Sequence, residues 1–241
     1  TRCLMLFHGP ERSGKKHAAV TLAETLAVPL HVIDMSEFSE AHSVSGLFGP
    51  PPGYVGFGMG GRLTEPVRRS PACVLVLERI DRAHPAVMAS VMAALESGTA
   101  SDSAGRRASF AAATVVMTSV PDESGGGGIG FMQRDGGAAT VGLPGVADLC
   151  DAVVRFDGLD REALKAVAEA RLSAFLDHLR AGGYRVDMDA GVAETVALEA
   201  EKSGGGAAAV ERAFRKVADE AVANASNMTV RIPSGKGGME R

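Results

Sequence analysis

The stretch Gly9-Pro10-Glu11-Arg12-Ser13-Gly14-Lys15-Lys16 constrains what this chain can fold into more than any other. An apolar run, Leu4-Met5-Leu6-Phe7, leads into it, and a helical pattern starts near His17. Strand, glycine loop, helix is the arrangement that turns a helix N-terminus into an anion cradle. The spacing is that of the phosphate-binding loop G-x-x-x-x-G-K-[ST] up to its last letter, where Lys16 replaces the hydroxyl that would hold Mg²⁺. The frame predicts a nucleotide site, and its last residue argues against the usual metal chemistry.

Bulk properties narrow the classes. The 241 residues suffice for one large domain, or a large and a small one, and a 46% hydrophobic content is ample for a core. A formal net charge of -4 provides no global basic field, so no nucleic acid partner is expected. No apolar run approaches the ~18 residues of a membrane span and no signal peptide is visible, so no membrane partner is expected. Cys3, Cys73 and Cys150 are far apart and lack metal spacing, which suits reduced thiols in the cytoplasm. The six histidines form no ligand-spaced pair. Thr1 is not a natural start, so the chain reads as a piece of a longer protein.

Along the chain, strands are expected at Cys3 to Phe7, Leu30 to Ile33, Cys73 to Leu77, Thr114 to Thr118 and Val153 to Phe156. Ala18, Leu22 and Leu26 mark the buried face of a first helix. Ser36 is read as the cap of a short helical stretch. Pro and Gly from Gly49 to Gly61 dictate an exposed loop, followed by a helix from Arg62 to Arg69. Pro85 opens a helix with Val87, Val91 and Leu95 on one face. Ser97 to Ala108 reads as polar turns, and a glycine-rich loop is expected from Gly125 to Gly145. Helices follow at Asp160 to Leu179, Ala190 to Glu201 and Ala207 to Ala225, with a short strand at Thr229 to Ile232. The alternation up to residue 156 predicts an α/β fold, a parallel sheet flanked by helices. The expected division is a large domain over 1–157 and a small, mainly helical one over 158–241.

Five further segments stand out: Ile33-Asp34-Met35-Ser36-Glu37-Phe38, Gly53-Tyr54-Val55-Gly56, Leu63-Thr64-Glu65-Pro66-Val67-Arg68-Arg69, Ile80-Asp81-Arg82-Ala83-His84-Pro85 and Val115-Val116-Met117-Thr118-Ser119. Together they resemble the Clp/Hsp100 AAA+ family, in particular the second module of ClpB-type disaggregases and of ClpV. The resemblance covers about residues 3–160 strongly and the remainder weakly. It implies a P-loop AAA+ fold, ATP or ADP bound between subunits of a homo- or hetero-hexameric ring, and polypeptide drawn through a pore. The pore loop it implies is Gly53-Tyr54-Val55-Gly56, which is intact. An aromatic ring offers sequence-tolerant contact, and flanking glycines let such a loop move.

The resemblance also assigns the nucleotide machinery, and there the chain departs from the family. The cofactor-binding residues are Gly9, Pro10, Glu11, Arg12, Ser13, Gly14, Lys15 and Lys16, with Lys15 at the lysine that reaches the β- and γ-phosphates. Glu78-Arg79 replaces the Asp-Glu pair of the second acidic motif. A guanidinium cannot act as base at neutral pH, and an ammonium cannot ligate a cation. Val120 occupies the position of the sensor-1 asparagine, Leu149 that of the arginine finger, and Ala208 that of the sensor-2 arginine. Arg155 and Arg212 are the nearest substitutes and neither is in register. The family's adenine pocket draws on a segment that precedes the first strand. No confident catalytic residue remains, and no Mg²⁺ is expected, Glu78 being the one remaining ligand.

Lys16 and Glu78 stand where the family's hydroxyl and aspartate face each other across the metal, so an ion pair between them is expected to fill that space. The alternative is that both point to solvent. Removing one partner of a buried pair costs about 3–5 kcal/mol. The functional expectation is an AAA+ module with weak or lost hydrolysis, acting as ring partner, scaffold or polypeptide-binding element. Two other readings stay open. One is an active ATP-dependent unfoldase. The other is a plant-type signalling repressor, since Gly9 to Lys16 and Asp102-Ser103-Ala104-Gly105-Arg106 are similar to loops of the strigolactone/karrikin repressor family.

Overall fold

The computed structural model describes residues 3–121, 145–223 and 229–232. The glycine-rich loop expected from Gly125 lies outside the described residues except for Gly145. The chain divides into two compact units, Thr1–Pro10 with Lys15–Phe156, and Glu11–Gly14 with Asp157–Arg241.

In the first unit the order is β1 (Cys3–His8), α1 (Lys15–Leu26), β2 (Leu30–Asp34), α2 (Val44–Phe48), α3 (Thr64–Arg69) and β3 (Val74–Glu78). Then come α4 (Pro85–Ser97), β4 (Thr99–Ser101), β5 (Arg107–Ser109), β6 (Thr114–Ser119), α5 (Val146–Leu149) and β7 (Ala152–Arg155). Five strands form one parallel sheet in the order β2-β3-β6-β1-β7. This is the P-loop α/β architecture that the sequence predicts. The apolar strands lack alternation because both faces are covered. Leu4, Leu6, Leu75, Leu77, Val115 and Met117 face one core, with Val87, Val91 and Leu95 of α4. Phe7, Val74, Val76 and Val116 face the other, with Ala19 and Ala23 of α1. Pro85 begins α4, where its missing N–H costs nothing, and Gly98 ends it at φ +72.

Three local expectations are corrected. The buried face of α1 is Ala19 and Ala23, flanked by the half-buried Ala18 and Leu22, while Leu26 is 49% exposed. Small side chains bring the helix close to the sheet, so the larger Leu22 sits at the margin. The 3-10 turn Met35–Phe38 is capped by Asp34, whose Oδ1 accepts from the Ser36 N–H at 3.0 Å and its hydroxyl at 2.7 Å. Ser97 to Ala108 contains the antiparallel hairpin β4–β5, closed by Asp102. Its Oδ1 accepts from the N–H groups of Ala104 and Arg106, and its Oδ2 from Arg106 Nε at 2.7 Å. Side-chain closure of this kind leaves no apolar alternation to read.

The second unit contains α6 (Arg161–Ala181), β8 (Arg185–Met188), α7 (Val192–Lys202), α8 (Ala207–Ala223) and β9 (Thr229–Ile232). Asp160 caps α6 by accepting from the Ala163 N–H at 2.8 Å. Leu164, Ala168 and Leu172 pack with Val196, Ala200, Val210 and Ala213, and Phe175 meets Phe214 edge-on with centroids 5.5 Å apart. The short strand β9 pairs in parallel with β8, a partner the sequence reading lacks, and buries Val230 and Ile232.

Candidate functional site at the carboxyl ends of the strands

Lys15 opens α1 behind the glycine loop and is 8% exposed. Its ammonium donates to the carbonyls of Gly9 at 2.7 Å and Pro10 at 2.5 Å, so the loop holds the cation with its own backbone. Gly9 is required by close approach, since a Cβ there would fall 2.1 Å from the Phe156 carbonyl oxygen. Arg12 adopts φ +63 in the left-handed region that favours glycine. Pro10, Glu11 and Arg12 are exposed, Ser13 is buried, and Gly14 is half-buried with φ +95.

Lys16 and Glu78 form the expected pair, Nζ to Oε2 at 3.1 Å. The geometry removes the alternative in which both side chains face solvent. The pair is not buried, however, because the side chains are 63% and 17% exposed. Solvent screening therefore limits its worth to about 0–1 kcal/mol, below the value for a buried pair.

Arg79 follows β3 at φ +56 and ψ +50. Its N–H donates to Thr118 Oγ1 at 3.1 Å. Its guanidinium turns toward β2, where Nε meets Asp34 Oδ1 at 3.1 Å and Nη2 meets Oδ2. Asp81 lies in the next 3-10 turn, and its Oδ1 accepts from the Val120 N–H at 3.2 Å. Leu149 is half-buried and packs against the core. In the second unit, Ala208 and Arg212 are both exposed on α8.

A buried histidine sits beside the loop. His8 ends β1, is 9% exposed, and shares a 2.9 Å hydrogen bond between Nδ1 and Ser119 Oγ. Burial lowers its pKa, the positive charges of Lys15 and Arg155 lower it further, and Asp81 opposes them. Sequence reasoning missed this contact and the Asp34 node. Asp34 with Ser36 two residues on is a legible turn pattern, whereas the His8–Ser119 contact joins residues 111 positions apart and leaves no local signal.

These residues do not fit Mg²⁺, which requires about six oxygen ligands in near-octahedral array. Glu78 is engaged by an ammonium, Lys16 has no lone pair, and Arg79 is a cation held by Asp34. Among the described residues no group of three His, Cys, Asp or Glu is placed to hold a metal. The glycine cradle, with Lys15 at the helix start, does fit a phosphate chain.

The loop carrying Gly53, Tyr54, Val55 and Gly56 is a run of turns, with Tyr54 N–H donating to Pro51 O at 3.2 Å and Phe57 N–H to Tyr54 O at 3.1 Å. Tyr54 is 70% exposed and Val55 fully so, and Phe57 and Met59 are also exposed. At the base, Arg62 lies 5.3 Å from the Phe38 ring centroid and pairs with Glu37. No helix among the described residues is long and apolar enough to cross a membrane.

Comparison with known proteins gives the family. Residues 2–124 match the AAA domain (Cdc48 subfamily). The chain is 32% identical over 219 residues to the chaperone protein ClpB of Malacoplasma penetrans, covering 88% of this chain and 30% of that protein. It is 40% identical to a ClpA homolog protein of Fuscovulum blasticum, over 68% of this chain and 22% of that protein. It is 37% identical to a probable chaperone protein ClpB 1 of Chlorobaculum tepidum, over 73% of this chain and 44% of that protein. The chain thus spans less than half the length of these relatives. A phosphate-binding loop on a parallel sheet, matched by family and by relatives, has one meaning: the chain belongs to the AAA+ family, in its Clp/Hsp100 branch.

Proposed function

We propose that this chain is a nucleotide-binding module of the second AAA+ type, with hydrolysis near background, that contacts polypeptide through Tyr54 within a ring of such modules. Its two units are the large α/β domain and the small helical domain of that module. The observation that carries the reading is the Lys16–Glu78 ion pair at 3.1 Å, which puts an ammonium where the metal-holding hydroxyl belongs. Arg79 bound to Asp34 supports it, because no acid stands there to orient a water. Leu149 packed on the core supplies no cation to a neighbour. An arginine finger alone is worth roughly 10³–10⁵ in rate, and its loss compounds the others.

The residues proposed to hold ATP or ADP are Gly9 to Lys16, with Lys15 released from its backbone acceptors onto phosphate. The exposed Tyr54 ring favours a second reading, an ATP-driven unfoldase using other catalytic groups. Calorimetry with ATP, beside a phosphate-release assay with and without unfolded polypeptide, separates the two. Nucleotide binding without turnover is expected, and turnover stimulated by unfolded polypeptide overturns the proposal.

A further inference from the structure

We infer that the Lys16–Glu78 pair makes this loop a site for metal-free nucleoside triphosphate, with the Lys16 ammonium as the counter-cation in place of Mg²⁺. The inference rests on the reading of the loop as a nucleotide site and adds which ionic form of the nucleotide it takes.

The two side chains that would face each other across a divalent ion are in contact, Nζ to Oε2 at 3.1 Å. A metal entering there must displace the ammonium and then sit beside it. The ammonium offers no lone pair in return, so Mg²⁺ would lose a ligand and gain a like charge. Metal-free triphosphate meets the opposite field. Lys15 and Lys16 are consecutive in the first turn of α1, at the end of the helix that carries partial positive charge. The more highly charged anion gains more from that field than its Mg²⁺ complex, whose charge is already half neutralised.

The two partners also differ in freedom. Glu78 is 17% exposed at the end of a central strand, and Lys16 is 63% exposed on a flexible four-carbon stem. Lys16 is thus the partner that swings from carboxylate to phosphate oxygen. Glu78 restrains it when the site is empty and repels the phosphates when it is full.

The test is isothermal titration of the full 241-residue chain with ATP, in EDTA or in excess MgCl₂ at matched ionic strength. ATP is expected to bind about tenfold tighter in EDTA, a difference of the size that one added like-charge contact produces. Lys16→Thr is expected to reverse the order, so that Mg²⁺ tightens binding. Glu78→Gln is expected to tighten binding in EDTA by about threefold, since it frees Lys16 and removes a negative charge. Binding that requires Mg²⁺ in the unsubstituted protein overturns this inference and leaves the nucleotide site intact. An order of affinities unchanged by Lys16→Thr also overturns it. Absence of ATP binding in every condition removes the nucleotide reading and this inference together.

Discussion

Arg79 grips both carboxylate oxygens of Asp34 across the ends of the neighbouring parallel strands β3 and β2. The same Asp34 carboxylate caps the turn Met35–Phe38 through Ser36. Arg79 thus acts as a structural cation that joins the two strand ends. Because Asp34 serves two partners and Arg79 one, Asp34→Ala is expected to cost about 1–2 kcal/mol. Arg79→Ala, at a half-exposed site, is expected to cost at most about 1 kcal/mol. Urea unfolding with linear extrapolation measures both, and equal losses would show that the cap contributes nothing.

Restoring one catalytic group is not expected to restore turnover. If hydrolysis is near background as proposed, Arg79→Glu alone should leave phosphate release there, because the Lys16 ammonium still offers no lone pair to a metal and Val120 brings no side-chain amide. Combining Lys16→Thr, Glu78→Asp, Arg79→Glu and Val120→Asn is expected to give Mg²⁺-dependent release about tenfold or more above background, since groups acting as a unit are not additive. Single-site rescue by Arg79→Glu in the phosphate-release assay would contradict this account.

His8 makes stability depend on pH. Its folded pKa is depressed below 6.5 by burial first, then by Lys15 and Arg155. On acidification the unfolded chain takes the proton before the folded one, so stability rises with pH across this window. The contribution is complete above about pH 6.5 and is lost progressively as pH falls toward the folded value. His8→Asn keeps a partner for Ser119 without titrating. Melting temperatures from about pH 7.5 to pH 5 should fall less steeply for this variant than for the unsubstituted chain.

Tyr54 contributes little to folding, being 70% exposed. Tyr54→Ala is expected to change stability by no more than about 0.5 kcal/mol. It should weaken binding of a fluorescent unfolded polypeptide at least about tenfold, as loss of an aromatic anchor does. Unaltered affinity in an anisotropy titration would detach Tyr54 from polypeptide contact.

The helix face that differs from its sequence reading can be tested by packing. Ala19→Leu pushes extra aliphatic bulk into the contact between α1 and the sheet and is expected to cost about 1–3 kcal/mol. Leu26→Ala, at a site 49% exposed, is expected to cost less than about 1 kcal/mol. Thermal melts of the two variants decide the face, and a reversed order of losses would return it to Leu26.

Sequence by itself determined the features whose cause is local. Strands buried on both faces appear as unbroken apolar runs, as at Val74 to Leu77, and the glycine spacing of Gly9 to Lys15 marks the loop between the first strand and the first helix. Pro85 and Gly98 bound their helix by backbone geometry alone. The Lys16–Glu78 pair was legible because the resemblance to the Clp/Hsp100 family sets those two positions opposite each other and their charges attract. Tertiary structure decided what depends on distant partners and on solvent. It set the exposure of Lys16, and with it the modest strength of that pair. It turned Arg79 onto Asp34, 45 residues away, and joined His8 to Ser119, 111 residues away. It selected Ala19 and Ala23 for the sheet, since close packing rewards the smaller side chain over the more hydrophobic one. Local pattern carries periodicity and backbone constraint, whereas the strength of a charge contact and the choice of a packing face depend on surroundings that only the folded chain assembles.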